Sequence, residues 1–305
     1  MISSVINGPP PRTDCGILPF FCVFRPGNCP SFTPLLVQLI VDIGNTDAVF
    51  GLYDQADWQH IWRTPVGKPV QAGPHLQPDE QAESYEGRLR LWLLEADVPL
   101  NAIRTTVISS VIPDLTPTIR TMLGKLFGLE PIVIGSAVYP LLPLEILRPH
   151  EIGADLVANA LAAFTRYHRN CVVVDFGTAL TFTTVSGEGK ILGVAIAPGL
   201  KTAIRSLFVN TAQLPDVPIE VPLSALGLST THAIQAGVVL GYEGLVRSLI
   251  DRIRAELGGD CIAIATGGLS GRIPSLHSAF AEVVPSLTLD GVRLIGEIVQ
   301  SVSQP

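Results

Sequence analysis

The 305-residue chain is poor in charge, at 15%, and poor in aromatics, at 6%, with only two methionines. It has no run of Lys and Arg, and its net charge is −7. A nucleic-acid binder would need a clustered basic face, so that class is excluded. Mean hydropathy is high at +0.41. Even so, no stretch of about 18 apolar residues escapes a charge, because the richest ones are broken by Asp42, Asp175 and Glu243, and a membrane span is not expected. Cysteine is sparse too. Three of the five (Cys15, Cys22, Cys29) fall before residue 34, without a C-x-x-C pair or a nearby histidine, which argues against a zinc or redox centre. Cys171 and Cys261 stand alone in apolar runs and read as core residues of a protein kept in a reducing cytoplasm.

Hydrophobic residues make up 47% of the chain, ample for a sizeable core, and the length suits about two domains. Residues 1–34 stand apart. Seven prolines lie between Pro9 and Pro34 and no periodicity survives there, so the segment reads as a disordered leader or a misassigned start.

From there on the chain repeats itself. In QLIVDIGNTDAVFGLY (Gln38 to Tyr53) a β-branched run ends on Asp42, turns through Gly44-Asn45-Thr46, and resumes at Val49. Alone, this is either an ordinary hairpin whose Asp and Asn cap the turn or a phosphate-binding hairpin. The same grammar returns 133 residues later, where Val172-Val173-Val174 ends on Asp175, followed by Gly177-Thr178-Ala179 and two further strands. A turn that only reverses the chain has no reason to recur with Asp, Gly and a small polar residue in one order, so the phosphate-binding reading gains.

A similar series follows each copy. After the first come a helix over Ser84 to Glu95, a strand over Thr105 to Ile112, a helix from Pro113-Asp114, a strand over Pro131 to Gly135, and a helix from about Gly153 to Tyr167. After the second come a helix from Leu200, a long amphipathic helix from Thr231 to Leu257, and a strand over Cys261 to Gly268 with a helix behind it. Val238, Tyr242, Leu245, Leu249, Ile253 and Leu257 form one stripe of the long helix. Alternation of this kind predicts an α/β fold of mixed sheets flanked by helices. Two such domains, over residues 35–169 and 170–305 and each offering its hairpin to the cleft between them, would clamp a polyphosphate. Gly267-Gly268 would let backbone approach an anionic ligand.

These residues resemble the superfamily of acetate and sugar kinases, actin and heat-shock ATPases, built of two ribonuclease-H-like domains with the nucleotide cleft between them. Within it DIGNT at Asp42–Thr46, GAD at Gly153–Asp155, DFGTALTF at Asp175–Phe182, Pro198-Gly199, GLSTTHAIQAG around Thr230 and TGG at Thr266–Gly268 are similar, in order, to the motifs of type III pantothenate kinases. The resemblance runs from about Leu36 to Ile298. It implies ATP-dependent phosphorylation of pantothenate, the first step of coenzyme A synthesis, by a homodimer with pantothenate near the subunit interface.

It further implies that Asp42, Ile43, Gly44, Asn45, Thr46, Asp47, Ala48 and Val49 form a phosphate loop, with Asp42 near magnesium, directly or through water. Thr178 would contact ATP phosphate and Asp175 would hold a monovalent cation, potassium or ammonium. Asp155 would be the base, with Gly153, Ala154, Leu156 and Thr230 also facing pantothenate. Asp155 opens a helix, where the dipole favours an ionised carboxylate, so it is expected to be a weak base that accepts its proton late. Lys and Arg are scarce near both hairpins, which leaves neutralisation to metal ions and backbone donors.

Two positions depart from the family pattern: Leu156 stands where the family carries Arg, and Ile146 where it carries Tyr. They leave open an acceptor other than pantothenate, or a nucleotide-binding regulator without catalysis. Arg148 is a candidate substitute cation, while His150 and His232 read as surface residues and Tyr85, Trp62 and Trp92 as core.

Overall fold

The computed structural model describes residues 37–54, 56–66 and 78–303, and the reading of residues 1–34 lies outside them. Two five-stranded mixed sheets are built on one plan. In the first, β1 (Val37–Ile43) lies between antiparallel β2 (Asp47–Asp54) and parallel β4 (Ile103–Ser110), with β3 (Asp57–Pro65) and β5 (Ile132–Val133) at the edges, in the order β3-β2-β1-β4-β5. In the second, β6 (Cys171–Phe176) is flanked by antiparallel β7 (Ala179–Val185) and parallel β9 (Ile262–Thr266), with β8 (Ile191–Pro198) and β10 (Glu282–Val283) outermost. Even an irregularity of register recurs, at Leu52/Tyr53 against β3 and at Thr184/Val185 against β8. The expected pair of ribonuclease-H-like sheets is present.

The near-continuous apolar runs of β1 and β6 follow from cover on both faces. Helices α1 (Pro78–Glu95) and α2 (Thr116–Phe127) bury Leu89, Leu93, Ile119 and Leu123 against Leu39, Val41 and Phe50 on one face of the first sheet. Its other face meets α3 (Ala154–Tyr167) and the C-terminal α7 (Leu287–Ser303), which share a core with Val173 and Ile264 of the second sheet. These two helices therefore lie between the sheets and belong to both. They approach closely: a Cβ on Gly291 would sit 2.0 Å from the Ala158 carbonyl oxygen. The far face of the second sheet is covered by α6 (Gly241–Glu256), through Val246 and Ile250.

Three sequence expectations shift. Helix α2 begins at Thr116, with Pro117 in its first turn, because residues 113–115 form a turn instead. The long helix spans Thr230–Glu256 but is broken into α5 (Thr230–Gln235) and α6 by a π turn at Ala236–Leu240. Val246 and Ile250 are the fully buried positions, and Tyr242, Leu245, Leu249 and Ile253 of the expected stripe pack against the same core, partly covered. This segment is the one helix among the described residues long and apolar enough to cross a membrane by length and composition, and it packs instead on the second sheet. Finally, no α-helix follows Gly267-Gly268. The chain runs through turns into a short 3-10 helix at Pro274–Ala279, since Gly267 adopts φ of 90° and Gly271 and Pro274 interrupt any α-helical run.

Candidate active site

Both aspartates stand one residue before the end of a central strand. Asp42 pairs in register with Ser109 of β4, whose Oγ donates to its Oδ1 at 2.8 Å. Asp175 pairs with Thr181 and Thr266 on either side, and its Oδ2 accepts from Asn159 Nδ2 at 3.0 Å. Asn159, fully buried on α3, in turn accepts from Thr288 Oγ1 of α7 at 2.8 Å. The helices between the sheets thus hold the second aspartate in place. Beyond each strand a tight turn closes, Gly44 N–H donating to the Asp47 carbonyl at 3.0 Å and Gly177 N–H to that of Ala179 at 3.1 Å. The tips meet: Thr46 Oγ1 and Thr178 Oγ1 lie 2.7 Å apart, both exposed.

The turn after β9 closes on the same point. Gly267 has φ of 90°, and a Cβ there would fall 2.3 Å from Asp175 Oδ1 and 2.7 Å from the Phe176 nitrogen. Only glycine lets this turn lie so near the carboxylate.

Asp155 occupies the first turn of α3, after Gly153 at the N-cap. Its Oδ1 accepts the Leu156 N–H at 2.9 Å and folds back so far that a Cβ on Gly153 would lie 2.5 Å away. The helix start was expected to keep this carboxyl acidic. Burial outweighs the backbone hydrogen bonds instead, and its pKa is raised, which makes Asp155 a better base than the dipole alone suggests.

Asp42, Asp155 and Asp175 form one electrostatic group. Burial pushes Asp42 up to about 7, with Asp155 and Asp175 adding repulsion against the Ser109 hydrogen bond. Asp175 is pushed up to about 6, again mainly by burial, with Asp155 repelling it and Asn159 opposing. A carboxyl with a folded pKa above its ordinary 3.8 takes up a proton on folding at intermediate pH. Its contribution to stability is then complete below about 4 and is lost as pH rises through about 6 to 7. The melting temperature of the ligand-free protein, followed from pH 5 to 8, should carry a falling component from these two groups, and magnesium with ATP should offset it. A component that rises with pH, or no response to magnesium and ATP, would contradict this electrostatic picture.

Not every residue expected at the site presents its side chain there. Ile43, Ala48 and Val49 are buried in the cores, as are Ala154 and Leu156, so these five offer backbone at most. Gly44, Asn45, Thr46 and Asp47 remain at the surface of the first turn. Thr230 is exposed at the start of α5 and has no side-chain hydrogen bond to the carboxylate group among the described residues. Arg148 points outward, 76% exposed, and pairs with Glu151 at 3.0 Å. Among the described residues no group of three or more His, Cys, Asp or Glu is placed to hold a metal ion. Asp42 and Asp175 would have to hold cations together with phosphate oxygens, hydroxyls, water or backbone, as magnesium in kinases commonly does.

Four residues at the site had not been singled out from sequence: Ser109, Asn159, Thr288 and Arg63. The strand over Thr105 to Ile112 was legible, but no pattern within it says that Ser109 faces Asp42. Arg63 corrects the expectation that no basic side chain serves the hairpins, since its charge acts on both Asp42 and Asp175.

The family model described as type III pantothenate kinase matches residues 38–252, a span that contains both hairpins, Asp155 and Thr230. The chain is 44% identical over 266 residues to the type III pantothenate kinase of Treponema pallidum (strain Nichols), covering 86% of this chain and 94% of that protein. It is 36% identical over 259 residues to that of Moorella thermoacetica, covering 85% and 98%. A crystal structure from Campylobacter jejuni, described as a Baf family transcriptional activator, superposes with a TM-score of 0.52 at 18% identity, over 88% of this chain and all of that one, and is similar in fold. With this much of its length matched, the chain belongs to the type III pantothenate kinase family, kinases that use ATP and phosphorylate an alcohol.

Proposed function

We propose that this chain transfers the γ-phosphoryl group of ATP to the primary hydroxyl of pantothenate, with Asp155 as base. The observation that carries the reading is the contact of Thr46 with Thr178, which joins the turns that follow Asp42 and Asp175, two carboxylates coupled electrostatically to each other and to Asp155. Phosphoryl transfer needs positioning and charge neutralisation more than covalent chemistry. The hydroxyl oxygen attacks phosphorus, the bond to the β–γ bridging oxygen breaks, and ADP leaves. The proton passes to Asp155, whose raised pKa suits that role.

Asp42 is the residue we assign to holding magnesium, which would supply charge neutralisation to the phosphates. Asp175 is assigned to potassium or ammonium. The hydroxyls of Thr181 and Thr266 support that assignment, because they flank Asp175 in register and are buried without a hydrogen-bond partner among the described residues. A monovalent cation would use both.

A homodimer is the assembly we infer. Leu192, Val194 and Ile196 of β8, Phe208 and Val209 of α4 (Leu200–Asn210), and Leu223, Leu226 and Leu228 all expose large apolar side chains in one stretch of sequence. Thr230 lies at the end of that stretch, so a second copy covering it would bring Thr230 into a site it does not reach alone. The net charge of −7 and the absence of any basic run favour cytoplasmic small-molecule chemistry over nucleic-acid or membrane binding.

One observation favours a different acceptor. Leu156 is buried and uncharged, and Arg148 points outward, 76% exposed, so neither side chain is placed at the carboxylates to meet a carboxylate substrate. Losing one charge-assisted contact costs about 1.5–3 kcal/mol, roughly tenfold to a hundredfold in binding. ADP release should be measured with pantothenate and with a panel of polyols. Pantothenate-dependent release is expected, with a high Michaelis constant that Leu156→Arg lowers or leaves unchanged. Release with a polyol alone, unrescued by Leu156→Arg, would move the assignment to another acceptor. ATP binding without any release would make the chain a regulator.

A further inference from the structure

Among the described residues Arg63 has no strong ion-pair partner, and its charge acts on the buried carboxylates Asp42 and Asp175. It sits on β3, opposite Val49 of the first hairpin, and the end of that strand is tied to the turn where Val66 N–H donates to the Thr46 carbonyl at 2.8 Å. Its one ion pair among the described residues, to Asp47, is long at 3.8 Å, with the arginine side chain 53% exposed. An exposed pair of that kind holds little energy. The side chain also extends toward the second sheet: a Cβ on Gly268 would lie 3.9 Å from Arg63 Nη2. It therefore lies between the first hairpin and the turn after β9. Among the described residues its charge acts on Asp42 and Asp175 and it faces Asp47, all three acidic.

We infer that Arg63 binds the phosphoryl group in flight, donating to oxygens of the γ-phosphate from β3, beside the first hairpin, while the turn at Gly267-Gly268 faces it. This rests on the kinase reading above and adds a residue to it. A polyphosphate entering beside three carboxylates needs more positive charge than one or two metal ions at Asp42 and Asp175. The planar guanidinium matches two phosphate oxygens at once, which an ammonium does not. As the bond to the β–γ bridging oxygen breaks, charge moves onto that oxygen while the rest stays spread over the equatorial oxygens of the transferred group, so a cation reaching both stabilises the transition state more than the bound nucleotide.

The test compares Arg63→Gln and Arg63→Lys with the wild type, measuring ATP and ADP affinity by calorimetry and turnover with pantothenate. Arg63 lies outside the cores and is half exposed, so both variants should melt near the wild-type temperature. Arg63→Gln is expected to lower kcat by about 10²–10³. It should also weaken ATP about tenfold more than ADP, because only ATP carries the γ-phosphate. Arg63→Lys should regain most of the ATP affinity but little of the turnover. Equal effects on ATP and ADP, or turnover within a few fold of wild type, would overturn the assignment. If the wild type itself leaves pantothenate untouched, the proposed acceptor fails, and the contrast between ATP and ADP still decides the role of Arg63.

Discussion

Asp155→Asn is expected to reduce turnover by about 10²–10⁴, the range for removing a general base, while ATP affinity stays near that of the wild type. The amide keeps an acceptor for the Leu156 N–H at the start of α3, so the helix should keep its geometry. What it loses is the ability to take a proton. The raised pKa of Asp155 adds a second signature. The acid limb of kcat/KM in the wild type should fall above the ordinary carboxylate range, since burial disfavours the ionised base. An Asp155→Asn enzyme that turns over within tenfold of wild type would remove the base from this position. Unchanged turnover together with a lowered melting temperature would make Asp155 a helix-start carboxylate and nothing more.

Asp42→Asn and Asp175→Asn should each cost roughly 10²–10³ in rate, the size of a lost electrostatic contribution in a water-poor site. They should not cost stability in the ligand-free protein. Both carboxyls are pushed up by burial and mutual repulsion, to about 7 and about 6, so at pH 8 each is ionised at an energetic cost to the fold. Asparagine removes that charge. For Asp175 the outcome depends on Asn159, whose Nδ2 would keep an oxygen to donate to. Melting at pH 8 without ligands should therefore be unchanged or raised, and stabilisation by magnesium and ATP should shrink for Asp42→Asn. A drop in sodium-against-potassium sensitivity should mark Asp175→Asn. Loss of melting temperature with retained turnover would identify the two as structural turn residues. Function held at the expense of stability is the expected pattern for a site of this kind.

Much of this was legible in the sequence for a definable reason. Strand and helix periods, and the recurrence of Asp-x-Gly at two strand ends, are local patterns written in consecutive residues. They placed the central strands of both sheets, helices α3 and α4, and both hairpins at the right residues. The helix expected after Gly267-Gly268 was missed because a strand followed by glycines has several continuations, and positive φ at Gly267 with Pro274 beyond it chose turns. The stripe on the long helix packs on the second sheet as expected, but the π turn within the helix was missed because it depends on hydrogen bonding that side-chain periodicity does not encode.

The sequence by itself determined the two-sheet plan, the positions of Asp42, Asp155 and Asp175, and a chemistry of anions and cations. Only the tertiary structure decided that these carboxylates share one electrostatic environment, that burial rather than a helix dipole governs Asp155, and that Ser109, Asn159 and Thr288 hold the two strand-end aspartates. It also decided that Arg63 faces them. Such facts depend on contacts between residues as far apart as Asn159 and Thr288, or Thr46 and Thr178, and on the solvent those contacts exclude. Desolvation and Coulomb interaction are set by distance in space, which no spacing along the chain records.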